Sequence, residues 1–404
     1  MKILFCNYEY PPLGGGGGEV TSLIAQEIAK HHEVTVLTSQ AQGLSSRQVI
    51  ERVQIIRVPV IFRKQKTVAN LLSMMTFIPV AIRTGKKVLK NSNYDLINTH
   101  FVLPTGPVGD SLSSFAGIPN VLTLHGGDLY DPSKFISPHR NPLLRSWISR
   151  LLRRADVVVG NSNDTLDNMR RYYTPEIEGV RIALGIRNHS VDYEPRSRYG
   201  FKNDEILMVT VGRLIARKAL IQLIEVINSL KNENVRLLIM GEGPQGRFLK
   251  YICSRKQLGG KIILLGFVEE SEKFQILKIC DLFVSTSQHE GFGLVFLEAM
   301  QSGLPIVCYN HGGQNDFLKD QETGYLIELN DLGHFIKHCQ LLIRDPDLRK
   351  KIGENNKLKA KEFNIDRCAA LYENVFITTL SAFNDKQRKN VSKKELKQNF
   401  MDTD

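Results

Sequence analysis

The chain alternates between two kinds of stretch. Short, continuous apolar runs rich in β-branched residues recur through the first half: KILFCNY, EVTVLT, VQIIRVPV, DLINTHF, NVLTLHG, DVVVGNS and VRIALG. Most are separated by enough residues for a helix. A polar passage, RNHSVDYEPRSRYG, interrupts the pattern after Ile186, which then resumes with EILMVTVG, VRLLIMGEG, KIILLGFV, LFVSTS, PIVCYN and GYLIEL. Continuous apolar strands alternating with helices predict parallel sheets covered on both faces. The repetition predicts an α/β chain of two doubly wound, Rossmann-like domains facing a central cleft, residues 1–186 and 201–365, with a linker at 187–200. A terminal helix, 366–383, should pack back on the first domain. The polar tail 384–404 has no packing face and is expected to be disordered. Ligands of such sheets bind beyond the carboxyl ends of the strands, so the residues after each strand are the candidates for chemistry.

Composition narrows the setting. With 404 residues, 42% hydrophobic and 24% charged, the chain fits two soluble cores. Met1 and Lys2 run straight into a strand without a secretory leader, and Val68–Ile82, the longest apolar stretch, is too short and interrupted to span a bilayer. A cytoplasmic chain is expected, at most peripheral on the inner face of the membrane. The six cysteines form no CxxC pair and sit mostly in apolar runs, which fits reduced, buried thiols; no clustered Cys and His suggest zinc.

Three stretches carry the chemistry. In HEGFGLVFLEAMQSGLP, His289–Pro305, Gly291 and Gly293 allow a tight turn after LFVSTS, a helix follows from Leu294, and Gly303 with Pro305 ends it. The free N–H groups at the start of such a helix suit a diphosphate, which nominates Gly291, Phe292, Gly293, Leu294 and Val295. In VGRLIARK, Arg213 and Lys218 follow a strand end. In LTLHGGDLY, His125 closes a strand in a glycine-rich turn, with Asp128 in the same loop.

Glu290 and Glu298, spaced E-x7-E, resemble the motif of the retaining GT-B glycosyltransferases of family 4. VGRLIARK, MGEGP, LGFV, LHGGD and the early Gly-Gly stand in family order, so the resemblance covers Lys2 to about Leu380. It implies that Glu298 binds the ribose hydroxyls of a sugar nucleotide and Glu290 the donor sugar. It also implies that Arg213 and Lys218 bind the diphosphate, that His125 positions the sugar, and that base contacts are made near Phe267 and Val268. His125, Glu290, Arg213 and Lys218 are the catalytic candidates. Asp128 is a candidate for acceptor or sugar contact, and His100 is open between the cleft and a structural role. The implied reaction moves a sugar from a UDP- or GDP-sugar to a hydroxyl of a lipid-linked or cell-envelope glycan, without a metal. A sugar-nucleotide epimerase, a phosphorylase and a catalytically idle membrane-associated subunit are the alternatives. Ala219 stands where the family usually has Gly.

The run Gly14–Gly18 is not a dinucleotide fingerprint. The third glycine of GxGxxG is replaced by Glu19, Val20 or Thr21, and the next strand ends in Thr38, Ser39 and Gln40 without an acid. By the resemblance, Gly15, Gly16 and Gly17 approach the donor phosphates from the first domain as a flexible lip. Asp345-Pro-Asp347 is formally a DxD metal motif, but its place before a helix favours capping.

The net charge of +11 resides in two acid-free patches, Phe62–Lys90 and His139–Arg154. Arg63, Lys64, Lys66, Arg83, Lys86 and Lys87 flank the apolar VANLLSMMTFIPVAI, a composition suited to an anionic membrane surface. The second patch reads as a core-packed helix capped by Asn141 and begun by Pro142. Nucleic acid is not expected, since no binding module accompanies the charge.

Overall fold

The computed structural model describes residues 1–61, 63, 71–134, 137–189 and 194–401, with side chains to Gln387; Lys64 and Lys66 lie outside these. The first half contains β1 (Lys2–Asn7), α1 (Gly16–Ile28), β2 (Glu33–Ser39), β3 (Arg47–Ile50), β4 (Val53–Val58), α2 (Leu71–Asn91) and β5 (Leu96–His100). It continues with α3 (Gly106–Ala116), β6 (Asn120–Leu124), α4 (Pro142–Arg154), β7 (Val157–Gly160), α5 (Asn163–Tyr172) and β8 (Val180–Arg181). The second half contains β9 (Ile206–Val211), α6 (Leu220–Ser229), β10 (Val235–Met240), α7 (Gly246–Arg255), β11 (Ile262–Gly266), α8 (Glu270–Ile279) and β12 (Leu282–Ser285). After these come α9 (Leu294–Gln301), β13 (Ile306–Tyr309), β14 (Gly324–Ile327), α10 (Leu332–Arg344), α11 (Pro346–Ala360) and α12 (Ile365–Met401).

Two sheets result. The first has eight strands in the order β3-β4-β2-β1-β5-β6-β7-β8, and the second six in the order β11-β10-β9-β12-β13-β14. All described pairings are parallel except β3 with β4. In each sheet the order reverses direction at one central strand, β1 or β9, and the crevice beyond such a strand is where doubly wound sheets bind ligands. The glycine run follows β1 and the Arg213–Lys218 segment follows β9, so sequence and topology select the same two loops.

The chain crosses between the halves twice, at Ile186 and at Phe363–Ile365, and the crossings are tied together. Ile186 N donates to Phe363 O at 2.9 Å, and Ile365 N to Ile186 O at 3.1 Å. Helix α12 then returns to the first half. Phe376 meets Phe5 edge-on, Tyr372 stacks on His100, and Glu373 pairs with His32. The helix continues to Met401 through the segment expected to be disordered. That segment contains no Gly or Pro and five Lys, so nothing in it breaks a helix already begun.

Local signals explain several boundaries. The Asn141 side chain accepts from Leu143 N and Leu144 N and Pro142 opens α4, while the Asp345 carboxylate accepts from Leu348 N and caps α11. The formal DxD therefore begins a helix in the second half, with one of its acids serving as the cap. Helix α1 already starts at Gly16, so Gly16, Gly17 and Gly18 form its first turn rather than a flexible lip. Their smallness is required there: a Cβ on Gly17 would lie 2.3 Å from the Phe101 ring. All six cysteines are buried free thiols, and among the described residues no helix is long and apolar enough to cross a membrane.

Candidate active site

The loops after β9 and β12 meet at a buried ionic cluster. A short 3-10 turn, Ala216–Lys218, aims Lys218 Nζ at Glu290 Oε1, 2.5 Å away. Arg217 Nη1 lies 3.3 Å from Glu290 Oε2 and also donates to His289 O. Burial pushes the Glu290 carboxyl up, but Lys218 and then Arg217 outweigh it and hold the group at about 2. Burial lowers Lys218, with Glu290 opposing. Glu290 is therefore a fixed anion at neutral pH, and its strongest hydrogen bond is to an ammonium that still has further N–H donors.

The glycine turn is held against the same region. Glu9 Oε2 accepts from Gly15 N at 3.1 Å, and the Arg213 guanidinium lies about 3.5 Å from where a Gly15 Cβ would stand. A Cβ on Gly16 would stand 3.7 Å from Leu294 Cδ1, on the first residue of α9. Gly15, Gly16, Arg213, Lys218 and the start of α9 thus converge across the cleft. The leading N–H groups of α9 have no acceptor within the helix. Leu294 and Val295 are partly buried against the core, with the Leu294 Cδ1 methyl turned toward Gly16. One turn further on, Glu298 Oε1 pairs with Lys273 at 2.8 Å while Oε2 is buried without a partner.

On the opposite wall, His125 follows β6 in a fixed tautomer. Asn98 Nδ2 donates to His100 Nε2 at 2.9 Å, so His100 carries its proton on Nδ1, which faces His125 Nε2 at 3.0 Å and Thr21 Oγ1 at 3.1 Å. His125 must then carry its own proton on Nδ1. Burial keeps both rings neutral: it drives His125 to about 3, and burial with the neighbouring His125 drives His100 well below its ordinary value. His100 is fully buried and reaches the cleft only through His125.

The two walls touch main chain to main chain. A Cβ on Gly291 would stand 2.1 Å from His125 O, and one on Gly126, whose φ is +85°, would stand 2.5 Å from Gly291 Cα. Ser162 Oγ donates to Gly291 O at 2.6 Å. Beside this seam, His289 Nε2 meets Asp164 Oδ2 at 2.8 Å, and Asp316 accepts from Asn163 N at 2.9 Å and pairs with Arg181. Only residues without side chains permit so close an approach.

Several sequence expectations are corrected. Both Asp128 oxygens accept backbone N–H groups, from Val102 at 2.8 Å and His125 at 3.0 Å, so Asp128 ties the His125 loop instead of facing a sugar. Burial lifts its carboxyl to about 6, opposed by those same bonds. The Phe292 ring is in the core against Phe317, 5.0 Å away, because its neighbours Gly291 and Gly293 occupy the cleft side of the turn. Arg63, grouped with the membrane-facing residues, is buried and stacked on Tyr8. Arg83 and Lys87 are exposed on α2, whereas Lys86 lies 5.2 Å over the Phe115 ring. Phe267 is exposed and Val268 packs on the core. Sequence reasoning missed Arg217, since in the adjacent pair Arg217-Lys218 nothing in the order shows that both turn inward. It also missed His289 and Asp164, which meet only after folding.

Two facing doubly wound domains with a cationic cluster and two acids at their shared crevice define a GT-B glycosyltransferase. Residues 14–186 match the family described as "Glycosyltransferase Family 4", and residues 193–359 match "Glycosyl transferases group 1". The chain belongs to this glycosyltransferase family. It is 24% identical over 392 residues to an N-acetyl-alpha-D-glucosaminyl L-malate synthase of Bacillus anthracis, covering 94% of this chain and 98% of the relative. It is 26% identical over 356 residues to a UDP-Gal:alpha-D-GlcNAc-diphosphoundecaprenol alpha-1,3-galactosyltransferase of Escherichia coli, covering 83% and 86%. Among solved structures, the sucrose-phosphate synthase of Thermosynechococcus elongatus superposes with a TM-score of 0.82 at 19% identity, covering 95% of this chain and all of that one.

Proposed function

We propose that the chain transfers a hexose-type sugar from a nucleoside diphosphate sugar, a UDP- or GDP-sugar, to a hydroxyl of a lipid-linked or cell-envelope acceptor, with retention at the anomeric carbon. The observation that carries this reading is the pairing of the Arg213, Arg217 and Lys218 cluster with the unpartnered Glu298 Oε2 about one helical turn into α9. Cations and a helix start suit a diphosphate, and a carboxylate oxygen without a partner suits a ribose hydroxyl. Arg213, Lys218 and the α9 start would stabilise the charge on the leaving diphosphate, so no metal is needed for that step. The leaving diphosphate itself would help take the acceptor proton. Glu290, held by two cations, would orient the sugar instead of attacking it. The printed name of the Escherichia coli relative, with UDP-Gal as donor and a diphosphoundecaprenol-linked acceptor, supports the donor and acceptor classes.

Helix α2 exposes Leu71, Leu72 and Met75, with Arg83 and Lys87 exposed further along it. This supports docking on an anionic leaflet, which co-sedimentation with anionic vesicles checks. The reaction is tested with a panel of UDP- and GDP-sugars, following nucleotide release with and without acceptor and the anomeric proton of the product by NMR. Retention predicts that product and donor share their anomeric configuration. An inverted product, or no release from any donor, would overturn the proposal.

A further inference from the structure

Arg63 follows β4, but its guanidinium turns inward and is 7% exposed. It lies 4.5 Å over the Tyr8 ring, and Nη1 donates to Ser39 Oγ at 2.5 Å and to Tyr8 O at 3.3 Å. Tyr8 and Ser39 stand at the carboxyl ends of β1 and β2, on the cleft side of the first sheet. The remaining donors, Nε and Nη2, are buried and have no hydrogen-bond partner. Those two nitrogens share one edge of the guanidinium, whose parallel N–H bonds grip a carboxylate or a phosphate in bidentate fashion. Among the described residues no carboxylate pairs with Arg63.

A buried charge with an open fork is strongly disfavoured unless an anion completes it. Other inward-facing cations among the described residues are answered more fully, with at most one buried nitrogen left over, Arg57 Nε. Arg57 donates from Nη2 to Pro11 O at 3.0 Å, and Lys218 and Arg217 share Glu290. The cations suited to the donor, Arg213, Arg217 and Lys218, all follow β9 in the second half. Arg63 instead belongs to the opposite wall, at the end of strands that contribute nothing to the ionic cluster.

We propose that Arg63 binds an oxyanion carried by the acceptor, a carboxylate or a phosphate, so that the chain glycosylates hydroxyls of anionic molecules. This rests on the transfer reading above. Two sources share the chemistry: a small soluble acid and a lipid headgroup.

The test compares matched acceptors with any donor that the wild-type protein consumes. The soluble arm sets sn-glycerol 3-phosphate against glycerol, and L-malate against its dimethyl ester. The lipid arm sets phosphatidylcholine vesicles containing phosphatidylglycerol against the same vesicles containing diacylglycerol. The readout is the ratio of kcat/KM for the anionic over the neutral member, taken within each protein so that differences in folded fraction cancel. The wild type should favour the anionic member by about tenfold or more in one arm, in line with loss of a charged hydrogen-bonded pair. The ratio should approach one in Arg63→Gln and fall to an intermediate value in Arg63→Lys, which keeps the charge without the fork. The arm that responds identifies the source. A wild-type ratio near one in both arms, or a ratio retained in Arg63→Gln, overturns the proposal. Slow hydrolysis of a donor by water with flat acceptor ratios defeats this inference alone, whereas consumption of no donor at all defeats the transfer reading with it. A thermal melt guards against a purely structural Arg63: inorganic phosphate, at matched ionic strength and with nucleotide present, should raise the wild-type melting temperature more than that of Arg63→Gln. Equal shifts would count against the proposal.

Discussion

Glu290→Gln removes one charge and almost no volume, and the structure sets what should follow. In the folded protein the carboxylate lies 2.5 Å from Lys218 Nζ and 3.3 Å from Arg217 Nη1, with 9% of its side chain exposed. Burial opposes ionisation, but the two cations reverse that and hold the group at about 2 against an ordinary 4.5. That gap corresponds to about 3 kcal/mol of stabilisation, within the range seen when one partner of a buried pair is removed. Because the folded-state value is depressed, the contribution is complete above pH 4.5 and is lost as the pH falls toward 2. Glu290→Gln should therefore be less stable than the wild type by about 3 kcal/mol at pH 7. The difference should shrink steadily through the acid range as the wild-type carboxylate takes up its proton. Urea unfolding followed by far-ultraviolet circular dichroism, on both proteins over a pH series, measures this. Equal stability at pH 7, or a difference that does not narrow in acid, would refute the ionic account of the cluster.

Other expectations follow from the same geometry. Glu298→Gln should weaken nucleotide binding by roughly tenfold to a hundredfold, the scale of a charged hydrogen bond; unchanged affinity by calorimetry would end its ribose role. Gly291→Ala places a methyl group 2.1 Å from His125 O, with main chain on both sides, so the walls must part. Stability should fall by more than about 2 kcal/mol and turnover with it, and normal turnover would show the seam to be compliant. Ala219, where the family usually has Gly, has φ +44°, in the left-handed region. Ala219→Gly relieves about 1–2 kcal/mol of backbone strain and returns about 0.4–1 kcal/mol of chain entropy to the unfolded state. A small rise in melting temperature is expected, and a clear fall would mean that the methyl group packs.

The doubly wound architecture was legible because buried parallel strands must be apolar throughout, which leaves an unbroken signature in runs such as KILFCNY and EILMVTVG. β3 escaped for the converse reason: RQVI is an exposed antiparallel edge strand and carries no such run. The residues nominated after strand ends do follow β6, β9 and β12, since topology fixes where those ends lie. Side-chain direction was less legible. Phe292 turns into the core although it sits in a cleft turn, Arg63 folds onto Tyr8 and Ser39 although composition puts it in an exposed basic patch, and Arg217 turns into the ionic cluster unannounced. Direction depends on one local dihedral and on neighbours far away in sequence, as with Asp164 meeting His289. The five glycines were the clearest case. A run that looks slack in sequence is helical from Gly16 onward and constrained by the Phe101 ring.

The contact of Gly126 with Gly291 at the meeting of the halves has a consequence for how such proteins diversify. Main chain presents the same surface whatever its flanking side chains become, so at this point neither half needs to recognise the other's residues. Halves from different ancestors could be recombined there if Gly126 and Gly291 stay and the side chains beside them, Ser162, Asp164 with His289 and Asp316 with Arg181, are kept. Grafting the first half of a relative onto this chain therefore requires α12 to travel with the half it covers, since Tyr372, Glu373 and Phe376 rest on His100, His32 and Phe5.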